Sequence, residues 1–147
     1  MRTKFRNASE AFDYFYIKIK DEGVDFDNTK ALFNVGFYIA NPLNNKIKSS
    51  SRGWSKPYAD AEWAWYLSGD PNIKKLGSLY GKIPAIWKKM ADRHGNVNSN
   101  YGYQWNGFCN DQYQFSMLQD MVARELNIPV GWYYHHAHNL HLYNNKT

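Results

Sequence analysis

The sequence predicts a single α+β domain over residues 1–147, because segments with helical periodicity are mixed along the chain with a segment that alternates as a strand does. A chain of 147 residues is long enough to bury one hydrophobic core. Glycines and the Asn41–Pro42 pair stand at the ends of these segments, where helices and strands commonly stop. We therefore expect helices packed with a sheet.

The first two predicted elements differ in their period. Residues 8–22 place apolar side chains at helical spacing before Gly23, which predicts an amphipathic helix. Residues 32–40 alternate apolar and polar side chains before Asn41 and Pro42, which predicts a strand. The alternation predicts one strand face made of Phe33, Val35, Phe37 and Ile39.

The segment from Ser55 to Asn72 carries the clearest helix signals in the chain. Ser55 can cap its start, Pro57 is tolerated in the first turn, and Gly69 marks its end. At about 3.6 residues per turn, one side of this helix is aromatic and includes a carboxylate. That side consists of Tyr58, Ala61, Glu62, Trp65 and Tyr66.

Glu62 has two interpretations in this position. Among tryptophan and tyrosine its carboxylate loses hydration unless partners donate hydrogen bonds, which favours a raised pKa or a polar cavity and suits acid–base chemistry. Alternatively, Glu62 lies at the edge of the aromatic side and pairs with a lysine. The sequence leaves both interpretations open.

A second helix is predicted to begin at Pro84 and to end at Gly95, with Trp87, Met90 and Ala91 on one face. The segment from Gly95 to Trp105 is first rich in asparagine, serine and glycine and then in aromatic residues. This composition is typical of a loop that leads into a ligand-binding surface.

The composition of the chain limits the kinds of partner molecule that we expect it to bind. Eighteen basic and thirteen acidic residues give a net charge of +5, which favours anionic partners, although the charges are dispersed. Aromatic residues make up 18% of the chain and offer stacking surfaces for flat ligands. A single cysteine, a charged N-terminus without a signal-peptide pattern and the lack of a long apolar run predict a cytoplasmic protein with no membrane partner.

Several blocks from Glu62 onward form an ordered series. They are E-W-A-W-Y-L-S-G-D-P-N from Glu62, I-W-K-K-M-A-D-R-H-G-N-V-N-S-N-Y-G-Y-Q-W from Ile86, and D-Q at Asp111. In order and spacing these blocks resemble the N-terminal half of the thymidylate synthase family, and S-N-Y-G also looks like its phage deoxynucleotide hydroxymethylase branch. The chain from Phe115 onward resembles a later helix and strand of that family, which end in an H-x-Y motif. The resemblance implies a thymidylate synthase-type mixed sheet packed with helices.

The same resemblance implies that the chain is internally truncated, with the family's central segment missing between Gln114 and Phe115. That segment carries the family's nucleophilic cysteine, its phosphate-binding arginine-serine-x-aspartate motif, and the Asn or Asp that selects uracil or cytosine. Cys109 precedes the D-Q pair and matches no nucleophile motif. Because no activating partner is recognisable near it, we interpret Cys109 as structural or incidental.

Five residues take family roles by resemblance. Glu62 would order water and assist proton transfers on the pyrimidine, and Trp87 would line the folate side. Tyr101 would join the polar network beneath the nucleotide. His141 and Tyr143 would hydrogen-bond the deoxyribose hydroxyl.

Strand alternation independently places His141 and Tyr143 on one side and Leu140 and Leu142 on the other, so we expect a polar face and a core face. The C-terminal histidines also permit a metal-site interpretation, since alternation puts two of them on one side, but no cysteine pair or Glu-anchored helix completes a ligand set. The four histidines are His135, His136, His138 and His141.

In the full family mechanism that the resemblance implies, a cysteine attacks carbon six of dUMP or dCMP, and methylenetetrahydrofolate delivers one carbon to carbon five. Hydride then gives a methyl group, or water gives a hydroxymethyl group. Without a recognisable nucleophile, this chain is either an inactive remnant or partial chain of such an enzyme, or a non-catalytic deoxynucleotide-binding or partner subunit.

The resemblance also implies a homodimer built on sheet faces, so we expect a homodimer or pairing with a full-length homologue. Nucleic acid binding is a separate class of function. The net charge and the aromatic residues are compatible with it, but the chain lacks a basic cluster or an RNA-binding motif, so we do not expect it.

Overall fold

The computed structural model describes residues 1–97 and 107–144. In these ranges the chain forms five helices and a four-stranded mixed sheet, which confirms the predicted α+β class. The elements are β1 (Lys4–Phe5), α1 (Ala8–Glu22), β2 (Val24–Phe26), β3 (Thr29–Ile39), α2 (Lys56–Ser68), α3 (Ile73–Tyr80), α4 (Ala85–Met90), α5 (Gly107–Glu125) and β4 (Tyr133–Tyr143). They divide into two compact units: a sheet unit, Met1–Trp54 with Phe115–Thr147, and a helical unit, Ser55–Gln114.

Strand β3 is the centre of the sheet unit. It pairs in parallel with β1 near its end, antiparallel with β2 at its start, and antiparallel with β4 along its length. The sequence prediction missed β2 and began β3 three residues late, because V-D-F is short and the Asp27–Asn28 turn was not recognised. Asp27 has φ 51°, a left-handed conformation that aspartate adopts more readily than most residues.

Helix α1 has the predicted bounds and packs on one face of the sheet. Asn7 caps its start, with the side-chain oxygen accepting from the Glu10 N–H at 2.9 Å. The Phe15 ring lies 4.7 Å from the Phe37 ring and 5.5 Å from the Phe5 ring, measured between centroids. These rings, together with Ala8, Ala11, Phe12, Ile19, Val35 and Ile39, form the buried core of the sheet unit.

Phe33 departs from the predicted core face of β3. Phe37 is fully buried, whereas Phe33 is 42% exposed although both residues have the same strand parity. Between Phe33 and Val35, Asn34 takes φ 52° and has no partner in the β4 register, so the regular strand is interrupted there. Phe33 contacts Phe26 edge-on at a centroid distance of 5.5 Å.

Helix α2 of the helical unit also has the predicted start and stop. The Ser55 hydroxyl oxygen accepts from the Tyr58 N–H at 3.3 Å, and Gly69 ends the helix in the left-handed conformation with φ 64°. The predicted helix from Pro84 to Gly95 is wrong in length, since α4 ends at Met90. The unit's core consists of Ala61, Trp65, Ile73, Leu76 and Trp87.

The early end of α4 has a local cause. The Asp92 carboxylate accepts hydrogen bonds from the backbone N–H groups of His94 and Asn96, at 2.8 and 2.9 Å. Aspartate side chains that bond nearby backbone groups in this way compete with helical hydrogen bonds. The chain therefore turns after Met90 instead of continuing as helix.

Helix α5 runs without interruption across the bond between Gln114 and Phe115, where the resemblance places the missing segment and where the two units divide. The missing segment itself stays a prediction. Asn127 ends the helix with φ 53°, and the Ile128 N–H donates to the Ala123 carbonyl at 2.9 Å. None of the helices in the part of the chain described here is long and apolar enough to cross a membrane.

The different burial of two phenylalanines on β3 gives a matched stability test. We expect Phe37→Ala to lower the free energy of unfolding by about 3–5 kcal/mol, because it leaves a cavity under α1. Phe33→Ala removes an exposed ring and one aromatic contact, so we expect a loss of about 1 kcal/mol. Urea unfolding of both variants measures the difference, and equal losses would contradict this placement of the core.

Candidate functional site

Glu62 lies in the interior of the helical unit. Its side chain is 3% exposed, and one carboxylate oxygen accepts from the Tyr58 hydroxyl at 2.5 Å. The other oxygen accepts from the Gln114 Nε2 at 3.2 Å. None of the ion pairs among the described residues joins Glu62 to a lysine. The carboxyl group is therefore buried among neutral donors, which favours the first of its two interpretations.

Tyr58 connects Glu62 to the core of the unit. The Trp87 Nε1–H donates to the Tyr58 oxygen at 2.6 Å, and the Tyr58 hydroxyl donates in turn to Glu62. The Trp87 ring also packs edge-on against Trp65, with centroids 4.9 Å apart. Since Trp87 can only donate, it fixes the direction of this short chain of hydrogen bonds, which ends on the carboxyl group.

Gln114 holds the other side of the carboxyl group. Its Nε2 donates both to Glu62 and to the Ala59 carbonyl, the latter at 3.1 Å. Its Oε1 is buried and has no hydrogen-bond donor within residues 1–97 and 107–144. A buried amide oxygen in this state costs free energy, so this side of the site is suited to receive a donor group.

Burial raises the pKa of Glu62 above its ordinary value of 4.5. The hydrogen bonds from Tyr58 and Gln114 lower the pKa and so oppose this shift, and the nearby negative charge of Asp111 adds to it. Glu62 therefore keeps its proton to a higher pH than an exposed glutamate does. This property suits a group that holds a proton and releases it during a reaction.

His141 and Tyr143 lie side by side in the sheet unit. Their rings meet edge-on with centroids 5.5 Å apart, and the His141 Nδ1 lies 3.0 Å from the Asn139 Oδ1. Burial lowers the pKa of His141, which favours a neutral imidazole at pH 7. With Nδ1–H donating to Asn139, Nε2 is the acceptor nitrogen, as binding of a hydroxyl group requires.

The predicted side shared by His141 and Tyr143 is confirmed, but the predicted position of the core is wrong. In the register with β3, His141 stands opposite Ala31 and Tyr143 opposite Thr29, and both of these β3 residues are buried. Leu140 and Leu142 lie half-buried on the other face. The core is on the histidine side because α1 packs on that face.

The remaining histidines are divided between the two faces of β4. His135 is partly buried beside Phe37, and this burial lowers its pKa to about 4. His136 and His138 are exposed on the other face. In the described ranges, no three His, Cys, Asp or Glu residues are placed to hold a metal ion.

The structure thus brings two of the predicted site residues together, Glu62 and Trp87 through Tyr58, in the helical unit. His141 and Tyr143 form a pair in the sheet unit, and Tyr101 lies outside the described residues. Cys109 is buried on α5. Their roles in nucleotide binding or catalysis stay predictions.

Sequence reasoning missed two contributors to the Glu62 site. Tyr58 was placed on the aromatic side of α2, and its spacing of four residues from Glu62 could have predicted the contact. Gln114 gave no comparable signal, because it lies 52 residues from Glu62 in the sequence. Only the packing of α5 in the helical unit brings the amide to the carboxyl group.

Trp87, which the resemblance assigns to the folate side, is covered by its neighbours. Trp87 is 5% exposed, with its ring against Trp65 and its Nε1–H bonded to Tyr58. A pterin could stack on this indole only after the ring was uncovered, so Trp87 as placed does not fit direct contact with methylenetetrahydrofolate.

Comparison with known families gives no assignment, since no protein-family model matches the chain. The resemblance to the thymidylate synthases therefore depends on the sequence blocks alone.

Replacing Glu62 with glutamine keeps its shape and removes its ionisation. Because the pKa of Glu62 is raised on folding, its contribution to stability is fully present below pH 4.5 and is lost as the pH rises through the folded value. We therefore expect Glu62→Gln to gain stability relative to the wild type as the pH is raised from about 4 to 8.

Urea unfolding over this pH range measures the effect, with the exposed Asp13→Asn as a control for removing a surface charge. A constant difference between Glu62→Gln and the wild type would reflect only altered hydrogen bonding. Such a flat profile would contradict the raised pKa.

Proposed function

We propose that this chain is a thymidylate synthase-type protein that binds a pyrimidine deoxynucleotide and is inactive alone in one-carbon transfer to dUMP or dCMP. The observation that carries the proposal is the buried Glu62, which Tyr58 and Gln114 hold and which forms no ion pair with a cation among the described residues. Burying a carboxyl group in this way costs free energy of folding, and buried carboxyl groups of this kind are typical of acid–base sites. It also lies within the first of the blocks that resemble the family.

The resemblance gives a separate role to one residue group in each unit. The carboxyl group of Glu62 would hold or accept a proton at the pyrimidine or at an ordered water, with Tyr58 fixing its orientation. The neutral imidazole of His141 and the phenol of Tyr143 would recognise the 3′-hydroxyl of the deoxyribose. In family members methylenetetrahydrofolate supplies the one-carbon unit; no step proposed for this chain depends on it.

The sequence lacks a recognisable nucleophile, since no residue near Cys109 in the sequence identifies an activating partner. Its thiol is buried on α5, and the Gln112 side chain bonds the Cys109 backbone carbonyl at 3.1 Å. Without covalent attack at carbon six, carbon five of the pyrimidine is too weakly nucleophilic to take up the one-carbon unit. The chain alone would then bind substrate without converting it.

We therefore expect no release of tritium from carbon-five-labelled dUMP or dCMP in the presence of methylenetetrahydrofolate. Cys109→Ser serves as the matched variant, because it changes the single sulfur atom that could act as a nucleophile. Turnover by the wild type that disappears in Cys109→Ser would contradict the proposal.

Deoxynucleotide binding is the direct test of the retained site. We expect weak binding of dUMP or dCMP, since no phosphate-binding arginine motif is recognisable and charge-assisted bonds normally anchor such ligands. His141→Ala should weaken binding by about 1 kcal/mol, roughly fivefold, as for the loss of one hydrogen bond. His138→Ala changes an exposed histidine on the other face of β4 and should leave binding unchanged.

Calorimetry or ligand-detected NMR with the deoxynucleotides and their ribose counterparts measures both effects. No binding at millimolar ligand would indicate a remnant without function. An equal response to any polyanion that is lost with added salt would indicate nonspecific electrostatic attraction instead. Deoxy-selective binding that depends on His141 and Tyr143 would support a retained nucleotide site.

A further inference from the structure

The net positive charge of the chain is concentrated in one segment of the helical unit. Residues 73–93 hold six basic residues and one acidic residue, a difference of +5, which equals the net charge of the whole chain. The rest of the chain holds twelve basic and twelve acidic residues and is therefore balanced. We call residues 73–93 the basic hairpin; its cations are Lys74, Lys75, Lys82, Lys88, Lys89 and Arg93.

Folding brings the two ends of this segment together. Along the sequence no more than two basic residues are adjacent, so the sequence by itself predicts no basic cluster. In the structure, Asn72 before α3 forms a β-bridge with Asn96 after α4, and its side-chain amide donates to the His94 carbonyl at 3.0 Å. The start of α3, which carries Lys74, therefore lies beside the segment that carries Arg93.

The turn between α3 and α4 is also closely packed. A Cβ atom on Gly77 would lie 2.7 Å from the Ile83 Cγ1, so the residues after α3 fold back directly onto that helix. Both helices are short, with eight residues in α3 and six in α4. The cations are thus carried by a compact pair of helices whose two ends are both fixed by contacts.

The basic hairpin turns its apolar side chains inward and its cations outward. Ile73, Leu76 and Trp87 belong to the core of the helical unit, whereas all six cations are exposed. This division is typical of amphipathic helices. The outer surface of the hairpin is therefore almost entirely cationic.

The positive charges have few opposite charges nearby. None of the ion pairs in residues 1–97 and 107–144 includes a cation of the hairpin. Asp92 accepts from the backbone N–H groups of His94 and Asn96, and Asp70 accepts from the Asn72 N–H at 2.9 Å. These carboxylates bond backbone groups rather than the neighbouring cations. Like charges this close repel one another, so an anionic partner would stabilise the hairpin.

The character of this surface distinguishes between anionic partners. A protein interface needs an apolar centre, and a bilayer surface is bound most firmly when apolar side chains insert into it. Within residues 73–93, Leu79 is the one large apolar side chain that is exposed. Interfaces with nucleic acid are more polar and much more positively charged than those between proteins. The basic hairpin therefore fits a phosphate backbone best.

The form of the nucleic acid follows from the same surface. Single strands are normally held by stacking on exposed aromatic rings, but Tyr80 is half-buried and Trp87 is buried. Duplex RNA binders add contacts to 2′-hydroxyls, and the exposed Ser78 hydroxyl already donates to the Lys75 carbonyl at 2.8 Å. Duplex DNA needs only cations at its phosphates, of which it presents about seven along the ~12 Å length of α3.

We propose that the basic hairpin binds the phosphate backbone of duplex DNA without reading its sequence. Five of its six cations are lysines, whereas base edges are read mainly by arginine and by side-chain amides. The proposal goes beyond nucleotide binding and is independent of it, since none of the six cations belongs to the residues assigned to the nucleotide.

Fluorescence anisotropy of a labelled duplex of about 25 base pairs tests the proposal. We expect a dissociation constant of about 10⁻⁶–10⁻⁴ M near 0.15 M salt, equal for duplexes of unrelated sequence. Five phosphate contacts would give a slope of about −4.5 for the logarithm of the association constant against the logarithm of salt concentration.

Paired neutral variants locate the binding surface. Lys88→Gln combined with Lys89→Gln should make the salt slope shallower by about two and raise the dissociation constant tenfold or more near 0.05 M salt. Lys46→Gln combined with Lys48→Gln is the matched control, because it removes the same charge at two exposed lysines of the sheet unit. We expect this control to bind as the wild type does.

A second pair of changes tests the other helix. Lys74→Gln combined with Lys75→Gln should weaken binding as the α4 pair does, since both helices present cations on the same hairpin. All of these side chains are exposed, and circular dichroism of each variant checks that the fold is retained. Single-stranded DNA, duplex RNA, poly-glutamate and vesicles containing phosphatidylserine serve as competing anions, and we expect each to bind more weakly than duplex DNA.

Three outcomes would overturn the proposal. The first is no binding of duplex DNA by the wild type near 0.05 M salt. The second is an equal loss of binding in the sheet-unit control and in the hairpin variants, which would indicate attraction to the net charge alone. The third is a competing anion that binds as tightly as duplex DNA, which would assign the surface to that class of partner or to any polyanion.

Discussion

The helical unit depends on how it accommodates a buried carboxyl group that pairs with no cation in residues 1–97 and 107–144. The hydration of Glu62 is replaced by a phenol and an amide, which are neutral donors. Such donors stabilise a carboxylate less than a lysine or arginine would, so burial dominates and the pKa of Glu62 rises. Tyr58 is held in turn by Trp87 in the core of the unit. The packing of Trp87 on α4 and the protonation of Glu62 on α2 are therefore coupled. We expect a change in one to alter the other.

In the sheet unit, the face on which α1 packs determines which histidines of β4 are buried and uncharged. The aromatic rings of α1 and β3 cover the side that carries His135 and His141, and burial keeps both imidazoles neutral at pH 7. A neutral imidazole with one nitrogen bonded to Asn139 offers an acceptor to a hydroxyl group, whereas a charged imidazole would offer only donors. This is why the proposed sugar recognition is assigned to His141 and Tyr143.

Local signals in the sequence predicted the bounds of α1 and the start and stop of α2, because capping residues and glycine act within a few positions of the helix ends. They did not predict β2 or the early end of α4, which depend on a tight turn and on a side-chain bond from Asp92. Alternation correctly paired His141 with Tyr143, but it could not identify the covered face. Which face is buried depends on where a distant helix packs, and local patterns do not reveal contacts between residues that are far apart in the sequence. The contact between Gln114 and Glu62 was missed for the same reason.

Helix α5 contributes residues to both units. Its first part supplies Gln114, whose buried amide bonds Glu62 in the helical unit. Its second part buries Ser116 and Ala123 in the sheet unit, while Phe115, Leu118 and Val122 are exposed. Leu118 follows Gln114 by four residues, so the two side chains lie on the same side of the helix, although one is buried and the other is exposed. The spacing of residues along α5 therefore does not determine their burial, because each unit buries the part of the helix that packs within it.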